Sequence, residues 1–227
     1  MGVTTSHRDH EVLGQGYLAV PATGTTSPAV IVIPERWGIV GHITSVADRF
    51  AEAGFVAFAP DLRPGSLTEG PDGTYLMTGP ELDEAAQRIA AVADHLASRP
   101  EVTAKVGCVG FCAGGTLALW SATRSDRIVA AVGFYPTLPA DGTNTDWIEY
   151  AGKSALVHRA GTDTGSTSDG VDGLRRAVEA AGGTCQTYDY PGTGHAFFND
   201  DRPDVFDQPA AASSWARTLE LFRARLG

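Results

Sequence analysis

The stretch KVGCVGFCAGGTLALWSA, residues 105–122, decides how this chain is read. A short apolar run of strand character, 105–111, meets Gly-Phe-Cys-Ala-Gly-Gly and passes into a Leu- and Ala-rich segment of helical character, 114–124. A cysteine at the tip of such a bend has two readings. A free thiol is commonly a small buried hydrophobe without chemistry. Alternatively the bend is a G-x-C-x-G turn, the sulfur form of the G-x-S-x-G turn that presents a nucleophile above the edge of a sheet. On that reading Gly110 and Gly114 leave space for the neighbouring strand and helix, and Gly115 adds room at the helix start. The helix N-terminus favours negative charge at Cys112, and the backbone N–H of Ala113 points at a developing oxyanion. The pattern alone does not choose between the two.

Outward from this turn, apolar runs of strand length alternate with helical patterns. Strands are predicted at 16–21, 29–35, 55–61, 105–111, 128–135, 154–161 and 184–191, several of them continuous in Val, Ile and Ala. Continuous runs of that kind belong to parallel strands covered on both faces. Helices are predicted at 42–53, 80–98, 114–124, 168–181 and 208–226, with Gly54, Pro100 and Gly182-Gly183 as stops. The alternation predicts an α/β fold: a mostly parallel central sheet with helices on both faces, preceded by an antiparallel strand or two. No polar or low-complexity linker divides the 227 residues, so one domain spanning 1–227 is expected. The segment 63–80 is rich in turn residues, and a loop of that length is more often functional than idle.

Ligands in such sheets collect beyond the carboxyl ends of the strands, and those ends carry a set. Strand 154–161 runs into GTDTG with Asp163, and strand 184–191 into PGTGHAFF with His195. The order Cys112, Asp163, His195 is nucleophile, acid, base, the order of α/β-hydrolases. Each residue alone has a plainer reading: an Asx-turn for Asp163, a solvated loop residue for His195. Together they explain a chemistry. A free thiol of pKa ~8.5 is only slightly ionised near neutrality; His195 can take its proton, and Asp163 can hold the imidazole in the useful tautomer. Strand 29–35 ends in Pro34-Glu35, and this corner would supply a second oxyanion donor, the N–H of Arg36. Glu35 is not needed for that purpose, and from the residues alone an ion pair with Arg36 or Arg63 is the preferred explanation for it.

Composition narrows the class. A net charge of −10 without a Lys/Arg cluster counts against nucleic acid as a partner. It would also repel anionic substrates at long range, so recognition of a carboxylate needs a local arginine. Three cysteines at irregular spacing are not a disulfide framework and favour a reducing compartment. Neither a signal-peptide pattern nor a run approaching ~18 apolar residues is present, so a soluble, cytoplasmic protein with no membrane partner is expected. Cys108 lacks the companion ligands of a zinc site and, like Cys185, reads as core; His42, His95 and His158 have no partners at metal-ligand spacing. Monomer and homo-oligomer both stay open.

The combination of PERWG (34–38), GFCAGG (110–115), an Asp after the next-but-one strand and GHAFFND (194–200) resembles the dienelactone hydrolase, or carboxymethylenebutenolidase, family. The likeness runs from about Val30 to the C-terminal helix, including AGFVAFAPDL at 53–62. The resemblance implies an α/β-hydrolase fold, a Cys112 nucleophile, a His195 base, an Asp163 orienter, and no metal or organic cofactor. It gives Glu35 a role that the residues alone do not, interaction with the resting cysteine and help in forming the thiolate when substrate arrives. It also implies hydrolysis of a small lactone or ester through an acyl-thioester. Family members hold a substrate carboxylate with arginines, one of them four residues after the histidine, where this chain has Asn199. Asn199, Arg36, Arg63 and Arg202 are therefore candidate substrate contacts, surface salt bridges being the competing reading for the arginines. Trp37 and Tyr75 could line the pocket or simply pack. Asn199 keeps open a general carboxylesterase or thioesterase acting on neutral esters. A non-catalytic ligand-binding fold and a redox-sensing thiol are the remaining alternatives.

Overall fold

The computed structural model describes residues 3–10, 14–22, 26–35, 38–62, 68–69, 75–76, 79–138 and 147–227. Their strands are β1 (Val3–His10), β2 (Gly14–Pro21), β3 (Ser27–Ile33), β4 (Val56–Pro60), β5 (Thr68–Glu69), β6 (Tyr75–Leu76), β7 (Val102–Phe111), β8 (Ile128–Phe134), β9 (Ser154–Ala160) and β10 (Thr184–Tyr190). The helices are α1 (Gly41–Glu52), α2 (Gly79–Ser98), α3 (Ala113–Ser121), α4 (Ser168–Ala180) and α5 (Gln208–Leu226), with a 3₁₀ turn at Trp147–Tyr150. Among the described residues, one eight-stranded sheet has the order β1-β2-β4-β3-β7-β8-β9-β10. From β4 to β10 every neighbouring pair is parallel, and β1 and β2 add an antiparallel edge.

The continuous apolar runs are explained by burial on both sides. In β3, Ala29, Ile31 and Ile33 enter one core cluster with side chains of α2, α3 and α4, while Val30 and Val32 enter the other with side chains of α1 and α5. Alternation with period two thus serves two cores instead of one core and solvent. Gly107 in β7 marks a close helix approach: a Cβ there would stand 2.9 Å from the Phe222 ring of α5. Cys108 and Cys185 are buried, as expected, and burial pushes the Cys108 thiol far up and the Cys185 thiol to about 12. His158 is buried as well, between the Tyr190 hydroxyl at 3.0 Å and Thr218 Oγ1 at 3.1 Å. Burial first, and then Arg217, lowers it to about 3, so it packs as a neutral ring. No helix among the described residues is long and apolar enough to cross a membrane.

The element limits differ from expectation where local geometry intervenes. β3 stops at Ile33 because Pro34 cannot continue a ladder. The antiparallel partner of β2 proves to be a full eight-residue strand. The segment 63–80 contains the two-residue ladder of β5 with β6 and the start of α2; its remainder lies outside the described residues.

The carboxyl end of α3 is closed by an unexpected group. Lys153 is buried and donates its Nζ to the carbonyls of Ala122 at 2.6 Å and Ser125 at 3.0 Å. A cation at this end complements the helix dipole and satisfies carbonyls that the helix leaves open. Lys153→Met should lower the urea-unfolding free energy by about 1–3 kcal/mol, because buried acceptors lose their donor; an unchanged midpoint would show that water replaces the ammonium.

Candidate active site

The turn after β7 forces Cys112 into the left-handed region, φ 56°, ψ −126°. Its N–H donates to the Phe134 carbonyl at 3.0 Å, and its own carbonyl accepts from Gly115 N at 2.9 Å, so both flanks of the strained residue are tied. The neighbouring glycines are steric requirements. A Cβ on Gly110 would lie 2.0 Å from the Gly114 carbonyl oxygen, and one on Gly114 would lie 2.3 Å from the Pro34 carbonyl oxygen. The second contact seats the end of β3 directly on the elbow, bringing Glu35 to this side of the sheet. Ala113 opens α3, so its N–H has no acceptor within the helix.

The loops after β9 and β10 are fastened together. Gly161 N donates to the Tyr190 carbonyl at 3.0 Å, and the Thr162 N–H and hydroxyl both donate to the Thr193 carbonyl, at 3.0 and 2.9 Å. This brings Asp163 Oδ2 within 2.7 Å of His195 Nδ1. The other carboxylate oxygen of Asp163 accepts from Gly165 N at 2.9 Å. The Asx-turn and the histidine contact are thus both made by one carboxylate. Burial works to raise the Asp163 pKa, but the bond and charge of His195 and the backbone donors of Gly165 and Ser166 leave it lowered. For His195, burial works downward, but hydrogen bonds to Asp163 and to Cys112 prevail and raise it to about 10.

Glu35 is buried and clasped by two neutral donors: the Tyr135 hydroxyl to Oε1 at 3.1 Å and Asn199 Nδ2 to Oε2 at 3.4 Å. Tyr135, immediately after β8, was not singled out from the sequence. The predicted strand 128–135 absorbs it as a last member, and its ring lies 4.9 Å from that of His195. Burial, the charge of Glu35 and the proximity of Cys112 hold its hydroxyl protonated, with Arg202 acting in the opposite direction. Among the described residues, the non-glycine residues with positive φ are Cys112, Tyr135 and Ala196. All three belong to this cluster or adjoin it, and backbone strain of ~1–3 kcal/mol each is characteristic of functional sites.

The expected substrate contacts fare differently. Asn199 is buried, its amide directed to Glu35 and its Oδ1 accepting from Asp201 N at 3.1 Å, so both ends of the amide are engaged within the protein. Arg202 is exposed and pairs with Asp204 at 3.3 Å. Arg36, with its N–H, Trp37 and Arg63 lie outside the described residues, as does the side chain of Tyr75.

Comparison with known proteins adds the following. The dienelactone hydrolase family profile matches residues 15–226. A protein from Aquifex pyrophilus named usf is 34% identical, over the whole of both chains. A relative from Aquifex aeolicus (strain VF5), with the provisional name carboxymethylenebutenolidase, is 31% identical, also over the whole of both. The crystal structure of a provisionally named dienelactone hydrolase from Klebsiella pneumoniae superposes with a TM-score of 0.78 at 24% identity, covering 98% of this chain and 99% of that one. The fold is that of the α/β-hydrolases.

The raised His195 pKa has a testable consequence. A group raised on folding stabilises the native state fully below its unfolded value and loses that contribution as pH rises toward its folded value. Here the window runs from 6.5 to about 10. The stability gap between the native chain and His195→Gln should therefore be widest below the window and shrink across it. Urea midpoints measured at several pH values check this; a constant gap would mean that His195 is not held protonated by its neighbours.

Proposed function

Because the chain belongs to the dienelactone hydrolase family, whose members hydrolyse esters and lactones, we propose that it opens a small lactone or ester by thiolate attack, with Cys112, His195 and Asp163 as the catalytic triad. The observation that supports the reading is the 2.7 Å contact of His195 Nδ1 with Asp163 Oδ2, with Cys112 near enough to His195 to contribute to its raised pKa. The Cys112 sulfur adds to the substrate carbonyl carbon. The N–H groups of Ala113 and Arg36 receive the oxyanion, in a site where preorganised donors are most effective. Collapse of the tetrahedral adduct breaks the carbon–oxygen bond, and His195 gives its proton to the departing oxygen. Water, deprotonated by His195, then attacks the thioester and releases the acid, and the thiolate–imidazolium pair returns.

Glu35 acts as the family resemblance implies, beside the resting cysteine, and Tyr135 and Asn199 set its orientation. The proposal takes the chain as one catalytic domain in a reducing, cytoplasmic setting where Cys112 stays a thiol. A second reading narrows the substrate. With Asn199 buried under Glu35, the position that would hold an arginine offers no cation to a substrate carboxylate. That favours neutral esters over dienelactone itself.

Values of kcat/KM for cis- and trans-dienelactone beside p-nitrophenyl acetate test both readings. Cys112→Ala should lower whichever activity is found by at least ~1000-fold, the scale of losing a triad nucleophile; turnover surviving in that variant would overturn the nucleophile assignment. A strong preference for dienelactone would overturn the neutral-ester reading and require another arginine to grip the carboxylate.

A further inference from the structure

Asp163 and His195 both stand beyond the sheet. β9 ends at Ala160 and β10 at Tyr190, and these two residues are partners in the last rung of their ladder. Past that rung, the two chains are held together by the buried Thr193. Its hydroxyl donates to the Tyr190 carbonyl at 2.8 Å and accepts from Gly161 N at 3.3 Å. Its N–H reaches the same Tyr190 carbonyl at 3.2 Å, and its own carbonyl takes both donors of Thr162. Asp163 comes directly after Thr162, and Gly194 alone separates Thr193 from His195. One threonine thus closes the loop pair immediately before the acid–base contact.

The Tyr190 carbonyl is the fixed point of this clasp, since it accepts from Gly161 N, Thr193 N and Thr193 Oγ1 together. The Tyr190 side chain fixes it in turn. Arg217 Nη1 of α5 donates to the hydroxyl at 2.9 Å, and the hydroxyl lies 3.0 Å from His158 Nδ1 of β9. The proton directions follow from the far end of the network. Thr218 Oγ1 donates to the Ser214 carbonyl at 2.9 Å, so it accepts from His158 Nε2 at 3.1 Å, and Nδ1 of the neutral ring accepts from Tyr190. The phenol is therefore bonded to α5 and to β9 at once. Its ring packs 4.9 Å from that of Phe197, two residues after His195. A phenylalanine would fill the same space but leave the buried His158 Nδ1 without its donor, so the hydroxyl is present for its bonds.

We propose that Thr193 and Tyr190 are positioning residues that set the register of the two loops and so hold Asp163 against His195. The proposal deepens the triad reading and rests on it for the effect on turnover. Loosening the clasp lengthens the acid–base contact, and the imidazolium loses part of the opposite charge that favours its proton. The clasp touches no group that binds the ground-state ester in the proposed mechanism, so kcat falls while KM holds.

The test uses the full chain with isotope-labelled histidine and reads the apparent pKa of the His195 ring by NMR titration, beside kcat and KM for p-nitrophenyl acetate. The His195 signal is assigned from its loss in His195→Gln. Thr193→Val keeps the shape of the side chain without its hydroxyl, Thr193→Ser keeps the hydroxyl, and Tyr190→Phe keeps the ring alone. Thr193→Val and Tyr190→Phe should each lower the His195 pKa by ~1 unit, the lower end of what a neighbouring opposite charge contributes. Each should also lower kcat ~10-fold or more, the scale of a small misplacement in a reacting site. Thr193→Ser should restore both quantities. Lys153→Met, which unsettles the opposite end of β9, should move neither. A native His195 pKa in Thr193→Val, a Thr193→Ser as impaired as Thr193→Val, or a Lys153→Met that shifts the pKa as far would each overturn the proposal. Should Tyr190→Phe fail to fold, Arg217→Met takes its place, removing one donor to the phenol and leaving the bond to His158. A lowered His195 pKa there supports the clasp, and an unchanged or raised one would strike Tyr190 from it. Turnover by Cys112→Ala is a separate failure, of the nucleophile reading, and the His195 pKa does not depend on that reading.

Discussion

The contact between the Gly114 backbone and the Pro34 carbonyl is the constraint on which the site depends. With no Cβ at Gly114, the end of β3 can press against the first turn of α3. The two corners that supply Glu35 and the proposed nucleophile then face one another across adjacent parallel strands. The reversal at Cys112 is what turns α3 into that contact, and its left-handed backbone costs ~1–3 kcal/mol. It persists because both peptide flanks are committed, to the Phe134 carbonyl on one side and the Gly115 N–H on the other. The strain therefore rests on β8 and α3, which are buried throughout much of their length. A soft surface loop could not hold a thiol in such a conformation; a sheet covered on both faces can.

Much of this was legible because parallel strands sealed on two sides write themselves as unbroken Val/Ile/Ala runs, and because Gly and Pro mark where they stop. Looking just past each strand end brought out Cys112, Asp163, His195 and Glu35 from positions spread over most of the chain. The same rule passes over Tyr135 because the residue follows an aromatic and apolar run and reads as its last member. What made it part of the cluster is a positive φ and a hydroxyl turned to a carboxyl 100 residues away. Asn199 was visible, but its partner was not: Glu35 is 164 residues distant, and nothing local says whether an amide faces solvent or a buried acid. The 2.8 Å pairing of His42 with Asp200, 158 residues apart, poses the same difficulty. Periodicity and turn chemistry are local signals, whereas side-chain pairing across a sheet is set by topology and the packing of loop on loop.

Two buried carboxyl groups belong to the cluster, and their partners differ in kind. Asp163 faces an imidazole whose proton it helps retain, together with backbone N–H donors. Its charge is therefore matched within the site, and its geometry is fixed by bonds to both oxygens. Glu35 faces a phenol and an amide, neither of which carries charge, and the Asn199 contact is long at 3.4 Å. Neutral donors orient a carboxyl without neutralising its field, and that charge adds to burial, the larger cause, in raising the Tyr135 pKa. Neutral donors also lack the attraction between opposite full charges that an imidazolium adds. The contacts of Glu35 are thus the looser of the two sets. An arginine in place of Asn199 would compensate the charge and tighten the grip, at the expense of that freedom. The amide holds the carboxyl in direction without adding a counter-charge, and on that physical ground both the proposed neutral-ester reading and the proposed role of Glu35 stand.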